Sequence, residues 1–142
     1  MDLARELTEG DGVRTPRQEI RELKMLYAVL VYETAHETEA RNHPERAGAY
    51  WGAYKAYSDA LVQAGVMAGG NALQPISTAT TVRIRDGKRD VQDGPFADTK
   101  EQLGGMFVID VPHLEAALEW AARCPAALTG SAEVRPILPM NG

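Results

Sequence analysis

The apolar residues along this chain predict a strand followed by a helix, and later a second strand followed by a second helix. Residues 25–32 form a continuous apolar run with β-branched and aromatic members, which suits a strand buried on both faces. Over residues 44–64 apolar side chains recur at helical spacing, which predicts a helix that Gly65 terminates. Residues 106–111 predict a second apolar strand, and 112–124 predict a second helix. The inward-facing positions of that second helix are predicted to be Leu114, Ala117, Leu118 and Ala121.

Shorter segments supply the remaining strands. Residues 66–70 and 78–85 predict strands, and the second of these is rich in β-branched residues. Asp86-Gly87 predicts a hairpin turn with a return strand over 88–92. Residues 132–138 alternate as a last strand, whose internal proline indicates a sheet edge. The order β-α-β-(hairpin)-β-α-β predicts an α+β fold, a ferredoxin-like βαββαβ sandwich with an inserted β-hairpin.

The two predicted helices can cover only one face of this sheet. Strands 25–32 and 106–111 are nevertheless apolar on both faces, apart from Asp110. A half-exposed antiparallel sheet would alternate between apolar and polar residues instead. We therefore expect the second face to meet a second copy of the chain, giving a homodimer with its sheets packed face to face.

Length and charge narrow the class of protein. The chain has 142 residues and a net charge of -5, which fits one domain and argues against a nucleic-acid partner or an anionic membrane surface. Residues 1–23 predict a weakly ordered extension ahead of a domain over 24–142, with Met25 as an alternative start. The single cysteine and the lack of a long apolar run favour a cytoplasmic protein that does not enter a membrane.

The segment 91–105 is richer in turn formers and charges than a simple connection needs. Gly94-Pro95 favours extended backbone, and Asp98 or Thr99 can cap a short helical turn. One interpretation is a well-capped surface loop. The other places Asp93 in a cleft as a general base or ligand acceptor, with Lys100 as a second polar group.

Two histidines lie between the first strand and the first helix. His36 and His43 are predicted to be solvated loop residues, and the alternative for His36 is a catalytic role. Glu33, His36, Glu39 and His43 could also form a helical metal face, but zinc sites need converging ligands, and we expect no metal.

The stripe Tyr50, Tyr54 and Tyr57 predicts core and groove lining, with one hydroxyl directed into a pocket. The sequence contains neither a GxGxxG nor a GxxxxGK[ST] pattern, and a GxSxG elbow is missing as well. No cofactor is therefore expected.

Six separated blocks of the chain follow one another in the order of a known family pattern. They are Gly69-Gly70-Asn71-Ala72-Leu73-Gln74-Pro75, Ala79-Thr80-Thr81-Val82-Arg83, Asp93-Gly94-Pro95-Phe96-Ala97, Thr99-Lys100-Glu101-Gln102-Leu103-Gly104-Gly105, Glu119-Trp120-Ala121-Ala122-Arg123-Cys124-Pro125 and Glu133-Val134-Arg135-Pro136. These blocks resemble the DGPF-domain branch of the YCII-related proteins. The resemblance implies a dimeric α/β-barrel, small-molecule enzymology with a histidine–aspartate pair, and a link to extracytoplasmic-type sigma factors. The chain departs from the pattern at Asn71 and Asp98, where glutamates are expected.

Together these observations predict a homodimer that binds an unidentified small molecule in a cleft near the 91–105 loop. Lyase- or isomerase-type acid/base chemistry would use Asp93 and His36 as catalytic residues. The alternative is a non-catalytic regulatory or protein-interaction dimer, linked to the sigma-factor systems. The expected ligand-binding residues are Gly94, Pro95, Phe96, Thr99, Lys100, Glu101, Arg83 and Tyr54.

Overall fold

A computed structural model describes residues 25–140 of the chain. The predicted extension at 1–23 lies outside the described residues. The α+β class is confirmed, and none of the helices within 25–140 is long and apolar enough to cross a membrane. In chain order the elements are β1 (Met25–Thr34), α1 (Ala35–Ala40), α2 (Ala47–Gln63), β2 (Met67–Ala72), β3 (Thr80–Arg85), β4 (Lys88–Asp93), β5 (Glu101–Val111), α3 (Leu114–Ala122), α4 (Ala126–Thr129) and β6 (Ser131–Pro136).

The described strands form a four-stranded sheet in the order β2-β5-β1-β6 and a separate two-stranded sheet of β3 and β4. All neighbouring strands run antiparallel. The order is consistent with a ferredoxin-like fold, in which the hairpin is inserted between β2 and β5. The most apolar strands, β1 and β5, occupy the centre, whereas β6 lies at an edge, as its proline predicts.

The core lies between one face of the four-stranded sheet and the helices α2 and α3. Alternate residues of β1 point to this face, as the two-residue period of a strand requires. Burying each large apolar side chain contributes roughly 1.5–3 kcal/mol. The Tyr57 hydroxyl also ties α2 to α3, because it donates to the carbonyl of Trp120 at 2.9 Å. The buried core includes Tyr27, Val29, Val31, Tyr57, Leu61, Ile109, Val111, Ala117 and Ala121.

The polar segment after the first predicted strand is not a loop. β1 continues to Thr34, whose hydroxyl accepts a hydrogen bond from the backbone N–H of Glu37 at 3.4 Å and caps α1. His36 therefore lies in a helix, which corrects the loop interpretation. The long helix begins at Ala47, later than predicted.

The predicted 91–105 loop is also shorter in the structure. β4 runs to Asp93 and β5 begins at Glu101, so the connection covers only 94–100 and contains no helical turn. β5 is long because it pairs with the extended end of β1, where Thr34 lies opposite Glu101. The Thr99 hydroxyl donates to the carbonyl of Glu101 rather than capping a helix.

The second predicted helix is rotated relative to its expected inner face. Ala117 and Ala121 face the core, whereas Leu114 and Leu118 are 49% and 42% exposed. The helix begins after His113, whose ring Nδ1 accepts the backbone N–H of Ala116 at 3.2 Å. Two small residues on the inner face allow α3 to approach the sheet closely. The short helix α4 was not predicted.

Candidate functional site

A carboxylate interrupts the apolar inner face of β1. Val29, Val31 and Glu33 occupy successive inward positions of the strand, and Glu33 is only 2% exposed. A buried carboxylate is costly unless it is paired and hydrogen-bonded. Glu33 therefore has to be surrounded by donors.

Arg41, which follows α1, provides the opposite charge. Its Nη2 lies 3.1 Å from Oε1 of Glu33, and the two side chains are 8% and 2% exposed. The same guanidinium donates to the carbonyl of Leu73, to the carbonyl of Gly104 at 3.0 Å and to the Tyr50 hydroxyl at 2.9 Å. Burial opposes the charged form, but the contacts with Tyr50 and Glu33 outweigh it, so the pKa of Arg41 is raised.

Two tyrosines of α2 complete the partners of Glu33. The hydroxyls of Tyr50 and Tyr54 both donate to Oε2 of Glu33, at 2.6 and 3.1 Å. Burial and the neighbouring negative charge raise the pKa of each phenol well above its ordinary value. Both phenols therefore remain protonated near neutral pH and act as hydrogen-bonding groups rather than as bases. We call Glu33, Arg41, Tyr50 and Tyr54 the Glu33 cluster.

The Glu33 cluster borders a cleft of about 610 Å³ between α2 and the strands β2 and β5. Its walls are mainly apolar and include adjoining aromatic rings. The centroid of Tyr50 lies 4.9 Å from that of Trp51 and 5.1 Å from that of Tyr54. The remaining lining residues are Val31, Arg41, Lys55, Ser58, Met67, Gly69, Gly70, Asn71, Ala72, Gly104, Gly105, Met106 and Phe107.

A second cavity of about 400 Å³ shares Tyr50 and Tyr54 with this cleft. It is more polar, and it is lined by His36 and Glu33 among others. Within residues 25–140, no three histidine, cysteine, aspartate or glutamate side chains are grouped to hold a metal ion. Glu33 itself is directed to Arg41 and the two tyrosines.

Two glycines of β5 make room for the cluster and for the neighbouring strand β2. A Cβ at Gly104 would lie 2.7 Å from Oε1 of Glu33 and 3.0 Å from Nη2 of Arg41. A Cβ at Gly105 would lie 2.8 Å from the carbonyl oxygen of Asn71 on the neighbouring strand. The register of β5 against β1 shifts at this point, which leaves Gly104 without a partner on β1. The Gly-Gly pair thus serves the buried ion pair and the close approach of β2.

The predicted residues at the base of the hairpin form a separate, exposed group. Asp93 ends β4 and borders neither cavity. Gly94 has a φ of 104°, its N–H donates to the carbonyl of Ala79, and its carbonyl accepts the Thr81 hydroxyl, each at 2.8 Å. Neighbouring Pro95 is half-buried. The structure thus does not bring Asp93 together with His36.

The other predicted ligand-binding residues also lie mostly outside the cleft. The guanidinium of Arg83 lies 5.0 Å from the ring centroid of Phe96, which is 77% exposed. Lys100 is exposed, and Oε1 of Glu101 accepts a hydrogen bond from Ser131 at 2.6 Å. Together with Thr99, these residues lie outside the cleft lining, whereas Tyr54 is part of it.

The sequence pattern does not identify Glu33 and Arg41 as a pair. One signal was present, because Glu33 continues the inward alternation of Val29 and Val31. A carboxylate in that register predicts a buried partner. Arg41 has no comparable signal, since its contacts reach residues far along the chain at Leu73 and Gly104.

Comparison with known proteins bears on the whole described region. The family model of the YCII-related domain matches residues 25–141. An uncharacterised protein of Rhizobium meliloti (strain 1021) is 40% identical over 115 residues, which cover 80% of this chain and 92% of that relative. The match to the family model therefore includes every element that borders the cleft.

Proposed function

The chain belongs to the YCII-related domain family, and on that premise we propose that it binds a small, flat and mainly apolar molecule in the cleft beside the Glu33 cluster. The observation that carries this proposal is an apolar cleft of about 610 Å³ that ends on a buried polar network. Ligand sites are commonly clefts of roughly 300–1,000 Å³ with apolar walls and a few fixed polar groups. The cleft fits that description in both size and chemistry.

The walls favour a planar ligand. Trp51, Tyr54 and Phe107 offer ring faces and edges, and aromatic pairs prefer stacked or edge-to-face contacts. Met67 adds a flexible, polarisable side chain that adapts to an apolar partner. An aromatic ring of modest size is the ligand body that these side chains favour.

Binding accounts for the cluster better than proton transfer does. Glu33 is held by three side chains, and the phenols of Tyr50 and Tyr54 keep their protons near neutral pH. Such a cluster is preorganised to orient a ligand. Acid/base roles for Asp93 and His36 remain predictions that turnover assays must test.

A homodimer is part of the proposal. The face of the sheet opposite the core carries Leu26 and Leu30 of β1, with Met106 and Val108 beside them on β5. A second copy that packs on this face would remove an apolar surface from water. Stable interfaces of this type typically bury about 1,600 Å².

The ligand proposal is tested by a thermal-shift screen of aromatic acids, phenols and their ethers. Ser58 lines the cleft on α2, so Ser58→Phe should fill it and abolish any stabilisation by a hit. Ala56→Phe adds the same ring at an exposed position of the same helix and should leave the stabilisation intact. If no compound stabilises the protein, the non-catalytic interaction dimer becomes the better interpretation.

The dimer is tested by light scattering coupled to size-exclusion chromatography. Val108→Glu places a charge at the centre of the outer face and should yield monomers. Val82→Glu places the same charge on the exposed hairpin and should leave the dimer intact. The opposite result would move the interface to the hairpin.

A further inference from the structure

From the hydrogen bonds of the Glu33 cluster we infer that the cleft selects a ligand that donates a hydrogen bond at its Tyr54 end, a phenol rather than the matching methyl ether. This inference rests on the proposed function and specifies the class of its ligand. It follows from counting the protons and lone pairs around Glu33.

Tyr54 has one hydroxyl proton, and that proton is already engaged in a hydrogen bond. A tyrosine hydroxyl carries one donor and two acceptor lone pairs, whereas an ionised carboxylate can only accept. Because Tyr54 contacts Oε2 of Glu33 at 3.1 Å, its proton points to the carboxylate. Only the lone pairs of the Tyr54 oxygen are left for a molecule in the cleft.

The carboxylate cannot be released from this arrangement at low cost. Glu33 is 2% exposed and is held by Arg41 on one oxygen and by Tyr50 on the other. Its negative charge therefore polarises the O–H of Tyr54 at every moment. Chains of hydrogen bonds strengthen one another in this way, which makes the Tyr54 oxygen a better acceptor.

The other donors of the Glu33 cluster are also engaged, apart from one Nη1–H of Arg41. The Tyr50 proton goes to Glu33, and its oxygen accepts the Nε–H of Arg41. Arg41 uses further N–H groups on Glu33 and on the carbonyls of Leu73 and Gly104. A ligand acceptor placed at the Tyr54 hydroxyl would face lone pairs, whereas a ligand O–H would find a partner.

The test is a set of matched pairs, such as 2-naphthol against 2-methoxynaphthalene and 4-ethylphenol against 4-ethylanisole, measured by titration calorimetry. One neutral hydrogen bond contributes about 0.5–1.5 kcal/mol, so each phenol should bind roughly two- to tenfold tighter than its ether. In Tyr54→Phe the ratio should fall to about one, because the ether never used that oxygen.

Tyr57→Phe is the matched control. The Tyr57 hydroxyl donates to the carbonyl of Trp120 and is not part of the cleft lining, so its loss should keep the preference for the phenol. Circular dichroism of each variant shows that it is folded before titration.

The outcomes separate the two proposals. Equal binding of phenol and ether by the wild type, or a preference that survives Tyr54→Phe, overturns the inference while the cleft remains a ligand site. If neither member of any pair binds, both the inference and the proposed function are wrong.

Discussion

The Glu33 cluster and the β3–β4 hairpin with its following loop differ in how they are assembled. The cluster draws its groups from β1, from the end of α1 and from α2, and its side chains are largely buried. The hairpin and loop form from one continuous segment and are mostly exposed. Residues close together in the sequence can supply the hydrogen bonds of their own turns. Buried charges need partners from distant segments, which only the fold brings together.

The hairpin shows that two neighbouring residues can meet the backbone requirements of a turn. Asp86 and Gly87 have φ values of 53° and 74°, the positive pair that a type I′ turn requires. The apolar side chains of Val82, Ile84 and Val91 remain largely exposed. Changes here should therefore affect stability far less than changes in the cluster. Four predictions test that contrast, from the largest effect to the smallest.

Glu33→Ala should cause the largest loss of stability. It leaves the buried guanidinium of Arg41 without its counter-ion and removes the acceptor of Tyr50 and Tyr54. Breaking a buried pair in this way typically costs about 3–5 kcal/mol, measurable by urea unfolding.

A matched surface change serves as the control for this loss. Asp59 pairs with Lys55 on the exposed side of α2, so Asp59→Ala should change the stability by less than about 0.5 kcal/mol. Equal losses in the two variants would contradict the distinction between the buried and exposed regions.

Gly104→Ala should come next. Its new Cβ would press on Oε1 of Glu33 and Nη2 of Arg41, at 2.7 and 3.0 Å. Forcing one extra carbon into a packed site costs about 1–3 kcal/mol. Gly52→Ala, in the open middle of α2, should instead stabilise the protein by about 0.5–1 kcal/mol. A neutral Gly104→Ala would mean that the ion pair can shift freely.

Tyr54→Phe should have a smaller effect at neutral pH and a distinct one in alkali. Losing one hydrogen bond to Glu33 costs about 1 kcal/mol or somewhat more, since the acceptor is charged. Burial and the charge of Glu33 raise the pKa of folded Tyr54 above the unfolded value of about 10.

The sign of the pH dependence follows from that raised pKa. The unfolded phenol loses its proton first, so the stabilisation is complete below about pH 10 and declines as pH rises above it. The variant should therefore show a shallower loss of stability between about pH 9 and pH 11 in urea unfolding. Identical alkaline slopes for wild type and variant would show that Tyr54 is not held by Glu33.

Asp93→Ala should have the smallest effect. The residue is exposed at the end of β4, where surface substitutions usually change stability by less than about 0.5 kcal/mol. A ligand found in the thermal-shift screen should still bind with unchanged affinity. Loss of binding would instead support the predicted role of the 91–105 segment and bring the hairpin into the site.

Most of the architecture could be read from the sequence. The apolar runs of β1 and β5 predicted these two strands, which the structure places at the centre of the sheet, and Asp86-Gly87 predicted the hairpin. Helix α3 shows the limit of such patterns, because Leu114 and Leu118 fit the periodicity but are exposed. Which side of an amphipathic helix meets the sheet depends on how closely the helix can approach, which periodicity does not contain.

The candidate site could be predicted only in part from the sequence. The sequence by itself determined the order of strands and helices along the chain, the hairpin turn and the presence of Tyr54 in a groove-lining stripe, since these follow from local periodicity and turn chemistry. Only the tertiary structure decided that Glu33 meets Arg41. That contact depends on a register shift at Gly104 and on a helix that returns Arg41 to the strand, and both are set by packing between distant segments.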